Sequence, residues 1–192
     1  MTNLNTVNSL RNILGGRNLY LVGIMGSGKS STGPHLAKAL EYKFVDQDKL
    51  IEEVAKLSIP EIFDQDGESG FRELEAQVLK EIGKRHSLVV ATGGGVVLRS
   101  HNWGILHQGI VIWISPSRDR LIARLESDQT KRPLLTNRDP IAALDSLIKE
   151  RQPFYAESDL YISVANETAE EVALDICNKL PAILTSPEEL DV

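Results

Sequence analysis

One cysteine, Cys177, is all the chain contains, so no disulfide can form within it and no cysteine metal cluster exists. A reducing compartment fits, and a cytoplasmic location is expected. Positive charge is in deficit: 21 Lys and Arg stand against 27 Asp and Glu, a net charge of −6. That balance argues against nucleic acid as a partner of the whole chain. No apolar run approaches the roughly 18 residues that a membrane span needs, so no membrane partner is expected. The four histidines, His35, His86, His101 and His107, have no metal-ligand spacing and read as structural.

What is present is an ordinary globular balance, 42% apolar and 25% charged, over 192 residues. That length suits one α/β domain with a real core. Strand and helix patterns alternate. "NLYLVGI", "KFVD", "SLVVAT", "GIVIWIS" and "DLYISV" read as five buried strands, and the continuous apolar runs of "SLVVAT" and "GIVIWIS" suit burial on both faces. Helices are expected from about Gly28 to Leu40, Glu68 to Arg85, Ser117 to Leu125, Asp139 to Arg151, and Thr168 to Leu180. Ser58 with Glu61, and Thr168 with Glu171, look like capping boxes. Asp139 followed by Pro140 reads as an N-cap with proline at the first helical position. The reading is a five-stranded parallel sheet flanked by helices, three layers in all. It predicts one domain over 18–180 and a loop over 126–138. A flexible extension is expected over 1–17, in preference to a transit peptide, and a tail over 181–192.

The strongest signal is "GIMGSGKSS", Gly23 to Ser31. It matches G-x-x-x-x-G-K-[ST], with a strand before it and a helix after it. Glycines let backbone N–H groups turn toward phosphate, and the helix N-terminus adds partial positive charge. Lys29 would reach the β- and γ-phosphates, and the Ser30 hydroxyl would face Mg²⁺. A glycine-rich turn with an exposed lysine is the plain alternative. The guanine-reading motif N-K-x-D is missing, which argues against a GTPase. Only one strand, "FVDQD", ends in carboxylates. That points to a small P-loop kinase.

Later motifs follow in a set order: "FVDQD", "GFRELE", "TGGG", "KRPLL" and "ERQPFY". With "GIMGSGKSS", they make the chain resemble the shikimate kinases, within the nucleoside-monophosphate-kinase-like group, from about Asn18 to Leu180. The resemblance implies a P-loop kinase fold with a mobile lid at about 126–138. It also implies an activity: transfer of phosphate from ATP to one hydroxyl of shikimate, giving 3-phosphoshikimate and ADP. That is a step of chorismate and aromatic amino acid biosynthesis. The expected partners are these small molecules with one Mg²⁺ per subunit, and the expected state is a monomer.

The resemblance also implies roles. Gly26, Ser27, Gly28, Lys29, Ser30 and Ser31 would bind ATP. Asp48 would hold the acceptor hydroxyls and accept a proton, and Asp46 would support Mg²⁺ through water. Arg72 and Arg151 would clamp the acceptor's carboxylate, a task suited to a planar guanidinium. Gly94 and Gly95 would offer backbone N–H groups to the acceptor. Arg132 would close over the phosphates as a catalytic lid residue, and Arg124 would stack on adenine. Each has a plainer reading from residues alone. The two aspartates make a solvated strand end with an N-cap, Arg72 makes an i,i+3 pair with Glu75, and Arg151 complements a helix dipole. "TGGG" makes a tight turn. The chain departs from the family's pattern in three places. Arg124 to Arg132 is one residue longer than expected. The turn "ANET" offers no clear nucleotide contact. Ser31 stands where threonine is commoner. Two rivals stay open: a related gluconate or nucleotide kinase, and a nucleotide-binding module without turnover.

Overall fold

In β1 (Leu19–Val22) every residue is buried. Leu19 and Leu21 face one apolar core, Tyr20 and Val22 the other. A strand alternates its side chains, so a strand covered on both sides must be apolar throughout. The same cause makes continuous apolar runs of β3 (Leu88–Ala91) and most of β4 (Ile110–Pro116). The computed structural model describes residues 10–127 and 139–184.

The five strands pair in parallel in the order β2-β3-β1-β4-β5. β2 (Lys43–Asp46) and β5 (Leu160–Val164) are the edges, and they are less buried than the expected five buried strands. Lys43 is exposed on β2, and β5 alternates buried with exposed residues. An edge strand has a neighbour on one side only, and helices cover less of it.

Helices α2 (Lys29–Leu40) and α8 (Ala169–Leu184) cover one face of the sheet through Leu36, Leu40, Ile176 and Leu180. On the other face lie α4 (Ile59–Gly83), α5 (Ser100–Leu106), α6 (Arg118–Ser127) and α7 (Pro140–Tyr155). Helix α3 (Gln47–Ala55) joins β2 to α4 and buries Ile51 in that second core. The result is the expected three-layer α/β fold. Among the described residues no helix is long and apolar enough to cross a membrane.

The expected caps form. Glu61 accepts hydrogen bonds from the Ser58 N–H at 2.7 Å and from its hydroxyl at 2.6 Å. Asp139 accepts from the N–H groups of Ile141 and Ala142 at 3.1 and 3.0 Å. Thr168 and Glu171 cap each other reciprocally.

Several boundaries differ from expectation. Residues 10–14, expected in a flexible extension, are helical (α1), and Leu10 and Leu14 are buried in the first core. Helix α7 runs past Arg151 and α8 past Leu180, each through a proline, Pro153 and Pro181. The first four residues of the expected tail are thus the end of α8. Helix α4 starts nine residues before Glu68, and Gly67 breaks it with φ 68° and ψ −176°. The expected start at Glu68 marks that break. Most of the expected loop at 126–138, with Arg132, lies outside the described residues; Glu126 and Ser127 end α6.

Candidate active site

The phosphate loop follows β1 directly. Gly28 caps α2 with φ 99°, a left-handed conformation that favours glycine. At Gly23 a Cβ would lie 2.5 Å from the Ile114 carbonyl oxygen, so only glycine fits against β4. Lys29 is buried and folds back over the loop. Its Nζ donates to the carbonyls of Gly23 at 2.8 Å and Ile24 at 3.0 Å, and to the Ser27 hydroxyl at 3.2 Å. The lysine is held at the loop's centre, against the plain alternative of an exposed one.

Two clefts meet at this loop. One, of about 420 Å³, is lined by Gly26, Gly28, Lys29, Ser30, Ser31, Arg124 and Ser127. Arg124 Nη1 donates to the Gly26 carbonyl at 2.6 Å, so this arginine lies on the phosphate loop itself. Burial lowers its pKa, with Arg120 adding to the effect. The other cleft, of about 690 Å³, shares Gly26, Lys29 and Ser30 and adds Asp46, Asp48, Arg72, Glu75, Gly93, Gly94, Gly95 and Arg151. Lys29 and Ser30 therefore form the wall between two compartments.

The second compartment is built from four chain segments. β2 ends at Asp46, which caps α3 by accepting from the Lys49 N–H at 3.3 Å. Two residues on, Asp48 projects into the cleft with a buried Oδ1 that has no hydrogen-bond partner among the described residues. Burial pushes its pKa up. Lys29 and Arg72 oppose that rise, while Asp46 and Glu52 add to it. On α4, Arg72 Nη1 donates to both oxygens of Glu75, at 3.1 and 3.0 Å, and Nη2 donates to Glu68 at 3.2 Å. The i,i+3 pair anticipated as a surface feature is present but buried, with side chains 8% and 0% exposed. On α7, Arg151 is buried and its Nε has no partner among the described residues. After β3, the glycines of "TGGG" pass closely among these groups. A Cβ on Gly93 would lie 2.4 Å from Glu75 Oε1, and one on Gly95 would lie 2.4 Å from the Arg72 guanidinium.

The chain matches the family model described as "Shikimate kinase" over residues 25–181. The chain belongs to the shikimate kinase family. Shikimate kinases of two Prochlorococcus marinus strains are close relatives. One is 65% identical over 177 residues, covering 92% of this chain and 93% of the relative. The other, from strain MIT 9211, is 58% identical over 192 residues, covering 100% and 96%. A shikimate kinase from Acinetobacter baumannii, solved in complex with shikimate, superposes with a TM-score of 0.85 at 36% identity, covering 90% of this chain and 97% of that one. A gluconokinase from Sinorhizobium meliloti shares the fold at 16% identity and a TM-score of 0.57, covering 91% and 95%.

Within this shikimate kinase fold, the structure gathers Asp46, Asp48, Arg72, Gly94, Gly95 and Arg151 around one cleft. It sets Gly26, Gly28, Lys29, Ser30, Ser31 and Arg124 around the other, with Ser27 buried beneath. Arg132 lies outside the described residues. Three contributors were not singled out from the sequence as site residues. Glu75 grips Arg72; burial raises its pKa and Arg72 opposes the rise. Tyr155, one turn after Arg151, donates its hydroxyl to the Gly94 carbonyl, and burial holds its pKa up at about 12. Gln47, between the two aspartates, points inward and is fully buried. The "ERQPFY" and "DQD" motifs contain Tyr155 and Gln47, but residue type alone gives no sign of either contact.

Proposed function

We propose that the chain transfers the γ-phosphoryl group of ATP to a hydroxyl of shikimate, giving 3-phosphoshikimate and ADP. One observation carries the reading. Asp48 Oδ1 and Arg151 Nε, two buried polar atoms without partners among the described residues, line the same cleft as the phosphate-loop lysine. An unmet acceptor fits a hydroxyl and an unmet donor fits a carboxylate. Shikimate carries both.

In this scheme Arg72 and Arg151 hold the acid's carboxylate, and the N–H groups of Gly94 and Gly95 steady it. The hydroxyl then faces the phosphate loop. Its oxygen attacks the γ-phosphorus, the bond to the bridging oxygen breaks, and ADP leaves with that electron pair. The hydroxyl proton passes to Asp48. Burial of Asp48 makes it a stronger base than an exposed carboxylate. Lys29 stays beside the phosphates while negative charge moves toward the leaving group. Arg124 binds the nucleotide beside the loop, and Arg132 is assigned to the transferring phosphate on the family's motif alone.

Mg²⁺ fits the oxygen donors present. The Ser30 hydroxyl and the Asp46 carboxylate line one cleft, and Asp46 would act through water. One ion per subunit belongs to the reading, with phosphate oxygens completing the donor set that Mg²⁺ prefers. Bound there, Mg²⁺ would offset charge on the phosphates. A monomer belongs to the same reading, and the single thiol supports the cytoplasm.

A coupled assay of ADP release across shikimate, gluconate and nucleoside monophosphates tests the reading. Turnover with shikimate well above the others is expected. Preference for gluconate or a nucleotide would replace the acceptor, and no turnover with any would favour a non-catalytic module.

A further inference from the structure

Gln47 sits between two carboxylates assigned to the reaction, yet its own side chain turns away from the cleft. It is fully buried. Its Nε2 donates to the Glu75 carbonyl at 2.9 Å, and its Oε1 accepts from the Gly93 N–H at 3.3 Å. One carboxamide therefore ties three segments together: the start of α3, the turn of α4 that carries Arg72 and Glu75, and the first glycine after β3. Each segment brings a different part of the acceptor site.

We propose that Gln47 is a positioning residue for the acceptor, setting the Arg72 turn and the Gly93–Gly95 loop against Asp48. An amide suits this place because it offers a donor at one end and an acceptor at the other. The buried Gly93 N–H needs a partner, and the Glu75 carbonyl, already bonded within α4, has a second lone pair to offer. A carboxylate would lack the donor and would add charge beside Asp48 and Glu75. An apolar side chain would leave the Gly93 N–H without this partner and remove the second bond to the Glu75 carbonyl, and the two segments could drift apart. The clearances allow little drift: a Cβ on Gly93 would lie only 2.4 Å from Glu75 Oε1 and 3.0 Å from Asp48 Oδ1. The phosphate loop is tied elsewhere, through Lys29 to Gly23 and Ile24. Loss of the carboxamide should thus disturb the acceptor and spare the nucleotide.

The inference rests on the kinase reading above. The test uses the full chain and compares wild type, Gln47→Met and Leu36→Ala. Leu36 is fully buried in the core on the opposite face of the sheet and serves as a control for lost stability. Gln47→Met should raise KM for shikimate roughly tenfold, the scale of buried polar groups left unpaired. KM for ATP should stay within about twofold. Leu36→Ala should leave KM for shikimate unchanged even where its Tm falls as far. If Gln47→Met does not fold, Gln47→Asn is read by the same split, because it stays polar but is too short to span both partners. An unchanged KM for shikimate, or a parallel rise in both KM values, would overturn the inference. Wild type without turnover on shikimate would overturn the kinase reading as well.

Discussion

Replacing Gly95 with alanine perturbs the acceptor site at one defined point. Gly95 has φ −103° and ψ 2°, which alanine also adopts, so the backbone is not at issue. The new Cβ would lie 2.4 Å from Cζ, Nη1 and Nη2 of Arg72. Ordinary contact begins near 3.4 Å, so the guanidinium must retreat by about 1 Å. It cannot retreat freely, because Glu75 holds Nη1 at 3.0 and 3.1 Å and Glu68 holds Nη2 at 3.2 Å. The planar fork then no longer meets a carboxylate with both arms. Loss of a buried charge-assisted contact costs roughly 2–5 kcal/mol. At the lower end that is about a 30-fold fall in kcat/KM for shikimate. KM for ATP should change little, since Gly95 does not line the nucleotide cleft. Initial-rate kinetics with each substrate varied in turn give both values. A kcat/KM for shikimate within about threefold of wild type, in a folded variant, would refute the argument that Arg72 is held in register for a carboxylate.

Asp48→Asn should cut turnover by roughly 10²-fold or more, the usual scale for a lost general base. The same change should stabilise the fold at neutral pH. Burial raises the Asp48 pKa above its ordinary value, so the native state holds that proton more tightly than the unfolded state. Stability from this group is present at pH below the ordinary carboxylate range and is lost as pH rises through the elevated value. The Tm gain of the Asn variant over wild type should therefore be largest at neutral pH and vanish in acid; a gain independent of pH would contradict the assignment. Gly104→Ala is the opposite kind of test. A Cβ there meets nothing within 4 Å, in the helix α5. It should stabilise the protein by roughly 0.5–1 kcal/mol, read as a higher Tm with unchanged turnover.

The central strands were legible because burial on both faces leaves no polar position to blur the run, as in "LYLV" and "LVVA". Caps were legible because their partners lie within three residues, as with Ser58 and Glu61. Helix α5 spans seven residues, too few to show a period. Helix α3 follows a strand directly, and only its N-cap, Asp46, announced it. The phosphate loop could be read from spacing alone, since its function lies in consecutive backbone groups. Arg72 offered two readings, ion pair or clamp, and the structure shows why neither could be dropped. The pair with Glu75 exists, and the same guanidinium lines the cleft. Gln47 stayed silent because its partners lie 28 and 46 residues away, and no local pattern encodes them.

Arg72, Arg151 and Asp48 line one cleft, placed for an acceptor held by its carboxylate. The most direct test compares phosphorylation of shikimate with that of its carboxamide by the wild-type chain. The amide keeps the ring and the hydroxyls and removes only the charge. Its kcat/KM should fall by roughly 30-fold or more, as two buried guanidinium groups lose their anionic partner. Equal turnover of acid and amide would contradict the clamp.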